Sequence, residues 1–488
     1  MKKKPLVLFL IGGSGARFLR SFLYYLASGL QLKNIDVIKI VIIDTDEANG
    51  NYELSLSLLK LYRKIRAKIQ LENDSFFIKD KCMLFYHDIN FIDENVEFIT
   101  PLDTQNQDLS SLIDYVHLQS EQQDFVKLLL TQNELSENLS VGFRGRPNMG
   151  TIGLQAIDKA INNSQKLKNL LGDSPRLTEE GLEDSVFFTV SSMFGGMGAS
   201  GMPLLVNKFS NIAYNNIPIA SLSYMYYFKI NQGRDTNDSK YFPQRTNLAY
   251  EYYRTNFSDK INTLYNIGKS FEGENGVAFS PGKIEQKNNA HYIEFFSVTS
   301  LIHFCNNLNV PSFPRSMTSY ALHITDNLYA NAAGKEYSNI FENYIILILI
   351  AKYFTERFEK NYSKDEMMNI SWVKFADFDN FNTEEKEILK DFFTGLLKFD
   401  KEELYNYSGL RMINSKDFPS NISTMVPHKK YRKYNRGLFY KRLTFGTFAE
   451  IDMKGIVDNH SIQSRGNITR LLVLLNKSFT KIFDNIFY

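Results

Sequence analysis

The chain has 488 residues, 43% hydrophobic and 14% aromatic, with a formal net charge of +2. That length holds two or three domains with full cores, and the composition excludes a disordered chain. The near-neutral balance gives no global field for nucleic acid or an acidic partner, and two distant cysteines, Cys82 and Cys305, exclude a disulfide framework and fit a reducing cytoplasm.

In chain order, residues 5–11 read as a buried strand behind Met1-Lys2-Lys3-Lys4. The apolar run breaks at Gly12-Gly13, Arg17 and Arg20 follow, and there is no small-residue cleavage site, so this is not a secretory signal. The first glycine-rich segment, Ile11-Gly12-Gly13-Ser14-Gly15-Ala16, leads into a helix with Phe18, Leu19, Phe22, Leu23 and Leu26 at helical spacing. A second strand, 36–43, ends in Asp44-Thr45-Asp46. This βαβ opening predicts a parallel sheet with its ligand at the strand C-termini. Residues 54–71 read as a basic amphipathic helix, 81–88 as a further strand, and 105–134 as polar helix or loop.

The second glycine segment is Gly142-Phe143-Arg144-Gly145-Arg146-Pro147-Asn148-Met149-Gly150, with a helix expected after Gly150 through Ile152, Ala156, Ile157 and Ala160. Residues 185–193 read as a strand running into the third segment, the loop Phe194-Gly195-Gly196-Met197-Gly198-Ala199-Ser200-Gly201, with helix over 203–209. A strand over 218–228, a helix over 246–256 and a last sheet strand over 261–267 follow. A loop over 268–282 leads to a long helix from about Asn288 to Asn306, apolar on two sides. Beyond Pro311 the chain turns helical, most clearly over 340–359 and 384–397, and the run 344–351 is too short for a bilayer, which needs roughly 20 apolar residues.

A strand, a glycine turn and a helix start make an anion site: glycine lets the backbone approach the ligand, and free N–H groups and the helix dipole face negative charge. Arg144 and Arg146 add cations for phosphate oxygens, with Gly145 and Asn148 in the same segment. Three such segments in order predict a nucleotide with its phosphates wrapped from several sides. The rival readings of the parts are a tight turn at Gly12–Gly15, a surface loop at 145–150, and capping roles for Asp44, Asp46, Asn288 and Asn289.

The three segments, with Asp44-Thr45-Asp46 between the first two, resemble the tubulin and FtsZ superfamily of GTPases over roughly residues 5–305. In that family the second strand ends in Asn-Thr-Asp, and a Gly-Gly-Gly-Thr-Gly-Ser-Gly loop clasps the phosphates. Here Gly195, Gly196, Ser200 and Gly201 match that loop; Gly198 replaces the threonine, and Met197 and Ala199 replace glycines. The resemblance implies a Rossmann-like α/β parallel sheet with helices on both faces, a nucleotide-binding domain over 1–285, a central helix over 286–310 and a mostly helical region over 311–488. It also implies GTP with Mg²⁺, a base read by Asn288 or Asn289 and stacked by Tyr292, and assembly as a polymer. Adenine and a dinucleotide stay open.

Family members hydrolyse GTP when an Asn- and Asp-rich loop after the central helix enters the next subunit's site. Thr325-Asp326-Asn327 and Phe375-Ala376-Asp377-Phe378-Asp379-Asn380 carry those residue types without the surrounding pattern, and no catalytic residue is assigned. Two other functions compete. One is an NAD(P)-dependent oxidoreductase with Asp44 on a ribose hydroxyl, against which Phe18 stands where the third fingerprint glycine belongs. The other is a non-hydrolysing scaffold in a bacterial multi-protein system, with the C-terminal half as partner surface. The basic, tyrosine-rich run from His428 to Arg436 reads as a solvated loop before a nucleic-acid contact, and the histidines show no metal-ligand spacing.

Overall fold

Among the described residues seven strands, all parallel, form one sheet in the order β3-β2-β1-β4-β5-β6-β7. The computed structural model describes residues 3–32, 34–46, 48–69, 84–86, 97–99, 107–139, 142–143, 145–154, 185–211, 215–227, 241–269, 282–308, 314–324, 335–359, 381–405 and 467–487. The elements are β1 (Lys4–Ile11), α1 (Gly12–Ala27), β2 (Ile35–Ile43), α2 (Gly50–Lys68), β3 (Glu97–Ile99), and the short helices α3 (Leu109–Leu112), α4 (Ser120–Leu129), α5 (Gln132–Leu135) and α6 (Pro147–Gly153). There follow β4 (Val186–Ser192), α7 (Gly196–Phe209), β5 (Ile219–Tyr224), α8 (Phe242–Asn256), β6 (Thr263–Lys269), α9 (Tyr292–Asn306) and β7 (Thr318–Ile324). Three long helices close the series: α10 (Lys335–Glu359), α11 (Thr383–Tyr405) and α12 (Asn467–Phe487).

Unbroken apolar runs explain the centre of the sheet. β1 and β4 have neighbours on both sides and bury both faces, so neither strand alternates with polar residues. One face, with Val7, Phe9, Phe187, Ile219 and Leu264, packs on Met149 of α6, on Met202, Leu205 and Phe209 of α7, and on Tyr253 of α8. On the other face Phe188 lies 6.4 Å from Phe18 of α1 and 6.0 Å from Phe304 of α9. The α/β architecture with helices on both faces is thus as expected. The chain winds outward in both directions from β1 and β4, so the strand order reverses between them.

The structure corrects several expected elements. The third strand is Glu97–Ile99, while Leu84–Tyr86 within the expected strand 81–88 form a turn and the rest of that stretch lies outside the described residues. β6 is not the last strand, because β7 pairs along its whole length. The helix expected from Asn288 starts at Tyr292, where the His291 and Glu294 side chains form a capping box.

The chain divides into two compact units: residues 1–21, 32–56 and 90–325, which carry the sheet, and residues 22–31, 57–89 and 326–488. In the second unit α10 packs on α11 and α12. Its core includes ring pairs Tyr24–Phe399 at 4.7 Å, Phe354–Phe393 at 4.9 Å and Tyr353–Phe479 at 5.5 Å. Burial pushes the Asp400 carboxyl up to about 6, against the opposing pull of Lys352. Among the described residues no helix is long and apolar enough to cross a membrane.

Candidate functional site

The first and third glycine segments are helix starts rather than loops. β1 passes directly into α1 at Gly12, whose φ of +67° makes the turn, and α7 begins at Gly196 with Gly195 as its N-cap. Both junctions lie at adjacent strands, β1 and β4, at the point where the strand order reverses. The two starts touch: a methyl on Gly12 would lie 3.2 Å from Cβ of Met197 and 3.8 Å from the Gly198 nitrogen. The first N–H groups of each helix have no carbonyl four residues back, so two positive helix ends meet here. Gly13 and Ser14 are partly exposed, as is Gly195, while Gly15, Ala16 and Gly196–Gly201 are buried.

Glycine serves two purposes here. A methyl on Gly15 would sit 2.7 Å from the Leu10 carbonyl carbon, and one on Gly198 would sit 2.6 Å from both the nitrogen and the carbonyl oxygen of Ser192. These residues let the helices press on their strand ends. A methyl on Gly13 meets only ordinary contacts, the nearest at 3.5 Å. Gly198→Ala is therefore expected to lower stability by roughly 2–3 kcal/mol through overpacking, whereas Gly13→Ala leaves it unchanged within about 1 kcal/mol; chemical denaturation checks both.

The middle segment packs against the start of α7 and the turn after β2. A methyl on Gly142 would lie 3.3 Å from Thr45 Oγ1, and one on Gly196 would lie 2.7 Å from Phe143 Cβ and 3.0 Å from the Arg146 nitrogen. Gly150 packs against Ser200 Oγ and the Gly196 carbonyl. Gly145 rests against the Phe242 ring, and its carbonyl accepts from Arg245. The three glycine segments and the Asp44-Thr45-Asp46 turn thus converge.

Not every expected side chain faces that convergence. Ser200 is buried in α7 and donates its hydroxyl to the Gly196 carbonyl one turn back. Arg146 pairs with Glu137 at 3.4 Å, and Asn148 donates to the Leu129 carbonyl and to Glu134. Arg144 lies outside the described residues, as do the run from His428 to Arg436 and both Asn- and Asp-bearing stretches after α9. Tyr292 is buried with its ring stacked on His291 at 4.4 Å, and Asn289 is exposed with its carbonyl held by Arg17 at 2.8 Å.

Asp44 and Asp46 are both buried. Asp44 accepts from the Asp46 N–H at 3.2 Å, and Asp46 accepts from the Lys283 N–H at 2.5 Å. Burial first, then the Asp46 charge, pushes the Asp44 carboxyl up to about 7, against the pull of backbone N–H bonds. Asp46 is also raised, chiefly by burial. Burial first, then the Asp44 charge, holds the Tyr52 hydroxyl well above its ordinary range, and that hydroxyl donates to the Gly12 carbonyl at 2.8 Å and ties α2 to the start of α1.

Sequence reasoning missed two groups. The first is a set of amides: Asn49 donates to Gln286 at 2.8 Å, Asn51 donates to Asn288 at 3.1 Å, and the Asn288 N–H donates back to Asn51 at 2.9 Å. They join the β2–α2 turn to the segment before α9. The Asn49-Gly50-Asn51 triplet was its only local sign, as a turn and helix cap. The second is a buried polar cluster at the start of α9. Arg17 pairs with Glu294 at 2.6 Å, Tyr227 donates to Glu294 at 2.6 Å, and Tyr224 shares a 2.6 Å hydrogen bond with Ser297. No known protein family, curated protein or solved structure matches this chain.

Proposed function

We propose that the chain binds a guanine nucleotide in the manner of the tubulin and FtsZ superfamily, with the phosphates at the paired starts of α1 and α7. The observation that carries the proposal is the meeting of two helix N-termini at the sheet's reversal point, with Gly13 and Ser14 partly exposed between them. Support also comes from the converging middle segment and from the acidic end of β2. Backbone N–H groups, not the Ser200 hydroxyl, would hold the phosphates. The segment before α9, with Asn289 exposed, would carry the base contact.

The donor set fits Mg²⁺ in one way only. Among the described residues no three His, Cys, Asp or Glu side chains gather around a metal position. Mg²⁺ typically takes one or two carboxylates and completes its shell with phosphates and water. Asp44 and Asp46 could supply those carboxylates, and the metal would neutralise phosphate charge. Any hydrolysis would rest on positioning and electrostatics, and the water-positioning residue is unassigned. Polymer formation or a scaffold role through the C-terminal half belongs to the same proposal.

A dinucleotide is the second reading, favoured by Asp44 at the end of β2 beside the β1–α1 junction. Titration calorimetry with GTP, ATP and NAD, with and without Mg²⁺, separates them. The expected result is Mg²⁺-dependent GTP binding weakened at least tenfold by Gly13→Ala. NAD binding that is indifferent to Mg²⁺ would move the function to an oxidoreductase.

A further inference from the structure

Residues 282–288 come after β6 yet fasten to the turn after β2. Those two strands lie four strand spacings apart in the sheet, about 19 Å. The fastening is dense. Lys283 donates its N–H to Asp46, Gln286 takes a hydrogen from Asn49, Asn288 exchanges two hydrogen bonds with Asn51, and Lys287 pairs with Glu53 at 2.7 Å. Gly50 lies so close under this segment that a methyl there would be 2.5 Å from the Ile284 carbonyl oxygen.

Where two of these amides lie matters more than the bonds they make. The heavy atoms nearest to the direction of a Gly13 side chain are Asn51 Nδ2, at 3.5 Å, and Asn49 Nδ2, at 3.8 Å. Both residues are 3% exposed. Each amide nitrogen carries two hydrogens and gives one to the strap, Asn49 to Gln286 and Asn51 to Asn288. Among the described residues nothing accepts the second hydrogen of either. Two buried N–H groups are thus left beside the first turn of α1, whose own N–H groups also lack carbonyl partners. Amide donors with a hydrogen to spare, set beside an open helix start, suit an oxyanion.

We infer that Asn49 and Asn51 are ligand-binding residues that give neutral donors to a phosphoryl group of the nucleotide on the β2 side of the α1 start. The inference rests on the nucleotide reading above. It assigns a wall of the site that neither the glycine segments nor the acids supply. It also gives the strap its purpose: by holding one hydrogen of each amide, Gln286 and Asn288 fix the plane of that amide and so where the other hydrogen points.

The competing explanation is structural. Asn49 caps α2, accepting from the Asn51 N–H at 3.0 Å, and Asn51 only ties down the strap. Charge separates the two. Aspartate caps a helix as well as asparagine does, and the Gln286 amide can turn to donate to it. Asn49→Asp keeps the cap but buries a carboxylate in the acidic turn after β2, which costs stability under either reading, so its binding is compared with its melting temperature. If Asn49 faces a phosphate, the same change puts a carboxylate against an anion.

The experiment is GTP·Mg²⁺ titration of the full chain and of Asn49→Asp, Asn51→Asp, Asn51→Ala and Lys287→Gln, each with its melting temperature. The expected result is about 100-fold weaker binding in both aspartate variants, about tenfold in Asn51→Ala, and no change in Lys287→Gln. The loss of binding in the aspartate variants should exceed what their melting temperatures account for. Aspartate variants that bind as well as Asn51→Ala, or a loss that tracks melting temperature across the set, would overturn the inference and leave the nucleotide reading standing. A wild-type chain that binds no GTP would overturn both.

Discussion

Arg17→Met is expected to destabilise the protein by about 3–5 kcal/mol, the cost of leaving a buried carboxylate without its cation. Arg17 and Glu294 are 8% and 1% exposed and meet at 2.6 Å. Glu294 also takes hydrogen bonds from Tyr227 and from the His291 N–H, and these cannot neutralise its charge. The Arg17 guanidinium lies over the Tyr227 ring, 5.7 Å from its centre, so the substitution removes packing as well. The double change Arg17→Met/Glu294→Gln should recover part of the loss, because no unpaired charge then remains buried. Denaturant unfolding of the three proteins measures the difference. Equal stability of Arg17→Met and wild type would mean that the pair is solvated in the native state.

Asp44→Asn is expected to stabilise the ligand-free protein above neutrality and to leave it unchanged in acid. The Asp44 carboxyl has its folded-state value raised from 3.8 to about 7. A group raised on folding favours the folded state while protonated. That contribution is full below pH 3.8 and is lost as pH rises through about 7. The difference amounts to on the order of 4 kcal/mol at pH 8. Asparagine has no charge to bury and keeps an acceptor for the Asp46 N–H. Thermal melts of both proteins at pH 4 and pH 8 test the sign. An Asp44→Asn protein less stable than wild type at pH 8 would show that the carboxylate is ionised and paired. Under the proposed function, GTP·Mg²⁺ should narrow the gap at pH 8, since a nearby cation favours the ionised acid.

The two central strands of the sheet could be read from sequence because strands buried on both faces are written as unbroken apolar runs. β3 has only three residues and β7 is Thr-Ser-Tyr-Ala-Leu-His-Ile, so neither carries that signal. The first and third glycine segments were legible as strand-to-helix junctions, but the conformation of their residues was not. Glycine's poor helix propensity argues for loops. Packing overrides it: Gly15 against Leu10 and Gly198 against Ser192 need a helix without side chains at those points. The start of α9 was misplaced because Asn288 looks like a cap, whereas its side chain is committed to Asn51, 237 residues away. No local pattern marks a partnership of that span. The same holds for Arg17 and Glu294, which stand alone in sequence and meet only in the fold.

The most direct test of the central claim is amide hydrogen exchange of the full chain, followed by mass spectrometry, with and without GTP·Mg²⁺. Phosphates held by two helix starts should slow exchange in peptides covering both 12–16 and 195–201, and that protection should fall in Gly13→Ala at the same GTP concentration. Nucleotide binding that leaves both peptides unprotected, or protects only one of them, would contradict a phosphate site shared by α1 and α7.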